Sequence, residues 1–369
     1  MRGMYYPHRM QEKKEGMSPA RVLLTLASLI VVVAGLKAAQ SILIPVLLAL
    51  LLAILCTPAV FWLRRHRVPT VAAVLLVVLV LLGVFTVFGF VVGGSVNGFM
   101  EAAPRFQERI DDLGTSLGEW LDAHGVEVGK IDTSDVFQPG SLIAFLGRGL
   151  TALLSTVSST FVVTLILVFM LLEAAGLPVK VRAAMGTADA DLGRFTKAAR
   201  EIQKYLGIKT AISAVTGLLI GTWVAVLGLD FAMTWGFLAF LLNFIPNIGS
   251  IIAAVPAVLL ALVQLGLAKA ILVAAGFLVV NVVLGNIVEP QLMGRTLGMS
   301  TLVIFLSLVF WGWLWGPVGM FLSVPLTMIL KIGMENSRDL RQVAIMLDSA
   351  RAAAERVKVA AEDDDDPPA

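Results

Sequence analysis

The sequence predicts an all-α polytopic membrane protein. It has about eight transmembrane segments, two of them broken or re-entrant, and a small helical extracytoplasmic insert. Composition is the first reason. Of 369 residues, 58% are hydrophobic and only 15% charged, against roughly 45–50% and 25% in a soluble domain. So few charges cannot cover a water-facing exterior, and the mean hydropathy is +0.90. The second reason is that the apolar residues fall into separate runs near crossing length, about 20 residues of helix per bilayer. The third is that two runs, 231–264 and 301–330, are too long for one plain crossing, and Gly and Pro interrupt each of them.

Residues 1–20 form a polar, basic arm (Arg2, Arg9, Lys13, Lys14) expected in the cytoplasm. Residues 21–92 hold the first three transmembrane helices, at about 21–39, 42–63 and 68–92. Ala38-Ala39 loosely resembles a signal-peptide cleavage site, but the next apolar segment starts at Ile42, so the first helix reads as retained. Pro45 falls in the first turn of the second helix, where proline is tolerated. The cluster Arg64-Arg65-His66-Arg67 belongs in a short cytoplasmic loop. That orients the first helix outward, the second inward and the third outward.

Residues 93–150 read as the extracytoplasmic insert, because acidic side chains outnumber basic ones there. Phe106, Ile110, Leu113, Leu117 and Trp120 recur at helical spacing, so 105–122 is an amphipathic helix. Its stripe lies on the membrane surface, covers a neighbouring subunit, or belongs to a packed spacer without a specific role. Lys130–Gly140 reads as loop.

Residues 151–335 form the transmembrane core. A fourth crossing at about 151–172 leads to a basic stretch, Lys180 to Lys209, on the inside. There Leu192, Phe195, Ala199, Ile202 and Leu206 form a stripe. It marks an elbow helix over 186–206 lying in the interface, or an ordinary helix packed on the bundle. A fifth crossing, 210–228, carries Gly217-x-x-x-Gly221, a spacing that permits close helix approach. Then come the broken run 231–264, a crossing at about 268–287, a polar turn over 286–295, and the broken run 301–330, interrupted at Gly316-Pro317-x-Gly319. Residues 336–369 form a cytoplasmic polar helix and an acidic tail, Glu362–Asp366. Both termini lie inside if each broken run makes one net crossing; re-entrant hairpins would change the loops between them.

The sharpest local signal is Asn243-Phe-Ile-Pro-Asn-Ile-Gly-Ser250. Pro246 lacks an N–H and clashes with the preceding turn, so a helix kinks or stops there. Gly249 reaches backbone angles other residues avoid, and Asn243 and Asn247 place amides beside the break. Freed backbone groups inside lipid must face protein or a water-filled cavity. Broken helices with polar groups at the break are how transporters build a midplane site; the plainer alternative is a loop between two short helices. The stretch Asn247–Pro256 also parallels Pro317–Pro325, each a glycine, an apolar run and Val-Pro, which suggests an internal repeat.

No catalytic constellation is present. There is no G-x-x-x-x-G-K-[ST] and no H-E-x-x-H. His8, His66 and His124 lie in separate polar segments, and Cys56 is the only cysteine. Neither a metal nor a cofactor is expected, and a net charge of +2 gives no reason to expect a nucleic-acid partner. What remains are polar groups near membrane depth. Asn243, Asn247, Asn281 and Asn286 can bind a small polar solute or join helices. Glu289 is an ionisable group of the kind that is costly in a membrane and usually functional. It couples or gates, or pairs with Arg295 in a structural turn.

Several of these residues coincide in order with a known family. Phe244-Ile-Pro-Asn-Ile-Gly249 with Val255-Pro256 resembles the signature of the AI-2E (autoinducer-2 exporter-like) family of bacterial membrane permeases. So do Val288-Glu-Pro-Gln-Leu-Met-Gly294, Trp311-Gly-Trp-Leu-Trp-Gly-Pro-Val-Gly319 and Val324-Pro325. The resemblance covers Ile44 to Leu330. It implies a secondary transporter or exporter of a small polar molecule in the inner membrane, for autoinducer-2 or, in some relatives, sodium or lithium against protons. It also implies a homo-oligomer, expected to be a pentamer, with moving broken helices. Taken with the residue reading, it nominates Asn243, Pro246, Asn247, Gly249, Asn281 and Asn286 for substrate binding. Glu289, Arg295, Gly316, Pro317 and Gly319 are nominated for coupling or gating. Relatives often carry an aromatic residue where this chain has Asn247. A membrane scaffold recruiting partners through its insert and tail is the alternative of another class.

Overall fold

The computed structural model describes residues 19–124, 160–174, 176, 180, 192–246, 248–293, 298–335, 337, 340–350 and 353–354. The N-terminal arm, most of the insert beyond the third helix, the start of the fourth crossing, Asn247, Arg295 and the acidic tail lie outside the described residues. All described elements are helical apart from one isolated β-bridge. The chain divides into two compact units, 1–43 and 44–369. The first holds helix α1, Pro19–Ala38, whose aliphatic side chains are exposed along its length, and the first turn of α2.

In the second unit α2 (Gln40–Arg65), α3 (Thr70–Ala123) and α4 (Thr160–Ala174) share one core. Small residues let the helices approach: Ala49, Ala53 and Ala73 are buried beside Val74, Leu167 and Leu171. Outward, Leu79, Phe90, Phe161 and Phe169 are exposed. An apolar exterior of this extent suits lipid and not water.

Helix α3 runs unbroken for 54 residues, about 80 Å at 1.5 Å per residue. The amphipathic helix expected over 105–122 is therefore the outer half of the third membrane helix and not a separate element. Pro104 lies between the two halves, but the helix passes through it. Similarly, α5 runs from Leu192 to Leu227 as one helix. Over residues 192–206 the expected elbow is continuous with the fifth crossing and is not a separate helix. Gly207 is the only weak helix former at that junction, and one glycine costs a helix about 1 kcal/mol.

Beyond α5, the chain turns at Gly228 (φ 83°) and Phe231 (φ 59°) into α6, Ala232–Leu242. Helices α5 and α6 pack closely because glycine meets glycine. A methyl group on Gly217 would lie 2.6 Å from the Gly236 carbonyl oxygen, and one on Gly236 would lie 3.1 Å from the Gly221 Cα. The Gly217-x-x-x-Gly221 spacing is thus used, against Gly236. Helix α6 has 11 residues, about 16 Å, half of a hydrocarbon core of about 30 Å. Helix α7, Gly249–Leu265, follows after the break.

Helix α7 returns to the level at which α6 began. Its Gln264 side chain accepts from the Asp230 N–H at 3.1 Å, and Lys269 just beyond donates to the Leu227 carbonyl at 3.2 Å. The run 231–264 is therefore a re-entrant hairpin and makes no net crossing. Helix α8 (Leu267–Val280), a π-helical stretch (Asn281–Val288) and α9 (Glu289–Met293) then form one continuous span.

Helix α10, Thr301–Glu335, satisfies the length and hydropathy of a crossing, yet it folds back on itself. Its backbone leaves helical geometry at Trp315 (φ −129°, ψ 16°) and Gly316 (φ 64°, ψ −147°). The Trp311 indole N–H donates to Thr327 Oγ1 at 3.1 Å across 16 residues, a separation of about 24 Å in a straight helix. Both feet of this second hairpin meet the segment after it, which contains α11, Arg341–Met346. Ser300 N–H donates to Leu347 O at 3.0 Å, and Lys331 pairs with Asp348 at 2.5 Å.

A span followed by a re-entrant hairpin thus occurs twice. The first hairpin opens beside the C-terminal end of α5, the second beyond α9, at the far end of the span that follows the first hairpin. The two hairpins enter from opposite sides.

Candidate functional site

The hairpin tips meet. The Phe244 ring at the first tip and the Phe321 ring just past the second have centroids 4.9 Å apart. At the first tip, α6 ends in tight turns: Phe244 N–H donates to Leu241 O and Ile245 N–H to Leu242 O. Pro246 supplies no N–H, and the Gly249 N–H closes the turn on Ile245 O at 3.2 Å. A methyl group on Gly249 would lie 1.8 Å from the Leu242 carbonyl oxygen. At the second tip, one on Gly319 would lie 1.9 Å from the Trp311 carbonyl oxygen. The two glycines do the same thing: each lets the returning arm touch the backbone of the arm that entered.

Asn243 is buried and its amide donates to Ser213 Oγ on α5 at 3.0 Å. Lys209, Ser213 and Thr216 share one face of α5, and all three are buried. Among the described residues, the hydroxyls of Thr216, Thr210 and Ser250 are buried without a hydrogen-bond partner. Such groups are costly to leave unpaired and give this polar line capacity to bind. Glu289 does not stand alone: both of its carboxylate oxygens accept from the Lys209 ammonium, at 2.7 and 2.8 Å.

The structure therefore gathers Asn243, Pro246 and Gly249 at one tip, and Gly316, Pro317 and Gly319 at the other. Asn281 and Asn286 are not on a hairpin; they sit in the π-helical stretch, Asn281 half-buried and Asn286 exposed. The described partner of Glu289 is Lys209; Arg295, like Asn247, lies outside the described residues. Sequence reasoning missed Lys209, Ser213 and Thr216. Lys209 reads as the end of a basic cytoplasmic stretch. The usable signal was its spacing to Ser213 and Thr216 within an otherwise apolar helix face. An open cleft of about 400 Å³ elsewhere, between α3 and α4, is lined by Leu82, Phe85, Thr86, Gly89, Phe90 and Thr160 and holds no charged group.

Paired re-entrant hairpins, with polar side chains and freed backbone at their tips, are a transporter's architecture. The profile of the AI-2E family transporters matches residues 26–339. The chain belongs to the AI-2E family. Similar chains include "AI-2 transport protein TqsA" of Escherichia coli K12, 39% identical over 327 residues, 89% of this chain and 95% of that protein. "Putative transport protein YhhT" of the same strain is 39% identical over 341 residues, covering 92% and 97%. A "Putative transport protein" of Haemophilus influenzae is 38% identical over 336 residues, covering 89% and 96%. The AI-2E match spans both hairpins and both spans that precede them. It ends at residue 339, before α11.

Proposed function

We propose that this membrane transporter exports a small polar molecule of the autoinducer-2 kind across the bacterial inner membrane by alternating access at its two hairpins. The observation that supports it best is the meeting of the tips at Phe244 and Phe321 beside the buried Asn243–Ser213 contact. Solute binds against Asn243, Asn247 and the freed backbone near Pro246 and Gly249. Glu289, Arg295 and the Gly316-Pro317-x-Gly319 turn gate or couple. Both termini lie in the cytoplasm, since two hairpins without net crossing leave an even number of spans and the basic clusters face inward. The assembly is a homo-oligomer, a pentamer on the family's pattern. The test is purified protein in liposomes offered a panel of solutes including AI-2, under imposed proton and sodium gradients. AI-2 flux that falls in Asn247→Ala, with the protein still in the membrane, supports the site; normal flux in that variant removes it.

A second reading, sodium (or lithium)/proton antiport, is favoured by a carboxylate, Glu289, inside a membrane span. It predicts cation flux that depends steeply on pH and is lost in Glu289→Gln. Deleting the segment after α3 separates both from a scaffold role, which would be lost while flux survives.

A further inference from the structure

Lys209 and Glu289 belong to different copies of the span-and-hairpin unit. Lys209 stands on α5, the span of the first; Glu289 opens α9, the last piece of the span of the second. Their side chains are 5% and 16% exposed. Charges held in crossing helices are costly, and a buried ion pair adds little stability over well-packed apolar residues. Stability alone therefore does not explain this pair.

Its neighbours point to a mechanical role. One helical turn past Lys209, Ser213 holds Asn243 at the tip of the first hairpin. On the other side, Glu289 directly follows eight residues of π-helix. Such helix is rare, its ladder is wider than that of an α-helix, and it occurs mostly at functional sites. The ion pair thus pins the end of the π-helical stretch of the second span. The same α5 face carries both that pin and the contact holding the first tip.

We propose that Lys209 is a positioning residue of the transport cycle: with Glu289 it forms a latch that ties the two units together while the first hairpin tip is shut. Opening the latch lets α9 leave α5 and frees the tip to move. The proposal rests on the transporter reading, but its test does not need a solute.

Cys56 is the only cysteine, so a Cys56→Ser background accepts a single reporter, Ser250→Cys, beside the tip. The reporter is labelled with N-ethylmaleimide in solute-free liposomes. Lys209→Met/Glu289→Leu removes the latch without stranding a charge, so it folds even if Lys209→Met alone does not. We expect it to label about tenfold faster, as the open population rises in proportion. Lys209→Arg and the exchanged pair Lys209→Glu/Glu289→Lys should label at the parental rate. Equal labelling in the apolar double variant and the parent overturns the latch. Failure of the transporter reading shows separately, as absence of AI-2 flux from vesicles holding the parent protein.

Discussion

Gly249 packs against the Leu242 carbonyl oxygen with no room for a side chain, and Gly319 repeats the contact on Trp311. Each contact closes a hairpin where proline has already stopped the helix. Gly249→Ala and Gly319→Ala should therefore each destabilise the protein by about 1–3 kcal/mol, as overpacking does. Gly333 has nothing within 4 Å of the added methyl. Gly333→Ala should be neutral, or stabilising by up to about 1 kcal/mol. Thermal unfolding in detergent reads all three; equal midpoints for the three variants would remove the hairpin assignment.

The two arms of the second hairpin are joined by the hydrogen bond from the Trp311 indole to Thr327. Thr327→Val keeps the shape and removes the acceptor. The buried indole N–H is then unpaired, at a cost of about 1–3 kcal/mol. Thr327→Ser keeps the acceptor and should lose less. If valine and serine behave alike in denaturation, the two arms do not touch as described.

Much of this was legible in the sequence. Composition and run length gave the fold class, and Pro246 with Gly249 and Gly316 with Pro317 marked both breaks. What could not be read was direction. A kinked crossing and a re-entrant hairpin have the same local sequence; only long-range partners, Gln264 with Asp230 and Lys331 with Asp348, separate them. The Asn243–Ser213 and Glu289–Lys209 pairs join residues 30 and 80 positions apart. Nothing in local periodicity encodes such pairing. The elbow's continuity was hidden for a different reason: an amphipathic stripe looks the same on a separate helix and on the extension of a crossing one.

Asn243 and Ser213 form the contact closest to the proposed binding position. Ser213→Ala removes the acceptor for the buried amide and Asn243→Ala removes the donor. Each single change should reduce solute flux, and the double variant should lose less than the sum of the two, because both act on one bond. Flux measured across this cycle tests the contact. Strict additivity would mean that the two side chains act separately.

Lys331 and Asp348 are both buried, and their ion pair ties the second hairpin to a segment beyond the AI-2E match. The same segment bonds the other foot: Ser349 N–H donates to Gly298 O at 2.8 Å and Ser300 N–H to Leu347 O at 3.0 Å. Asp348→Asn keeps the shape but leaves the Lys331 ammonium without its counter-ion. Breaking a buried pair from one side costs about 3–5 kcal/mol. Lys331→Met/Asp348→Leu removes both charges and should recover most of that loss, which a merely local packing defect at either position would not allow. Denaturation midpoints of the two variants decide it. A double variant no more stable than Asp348→Asn would mean that the hairpin is held by the backbone bonds at Gly298 and Ser300 rather than by charge.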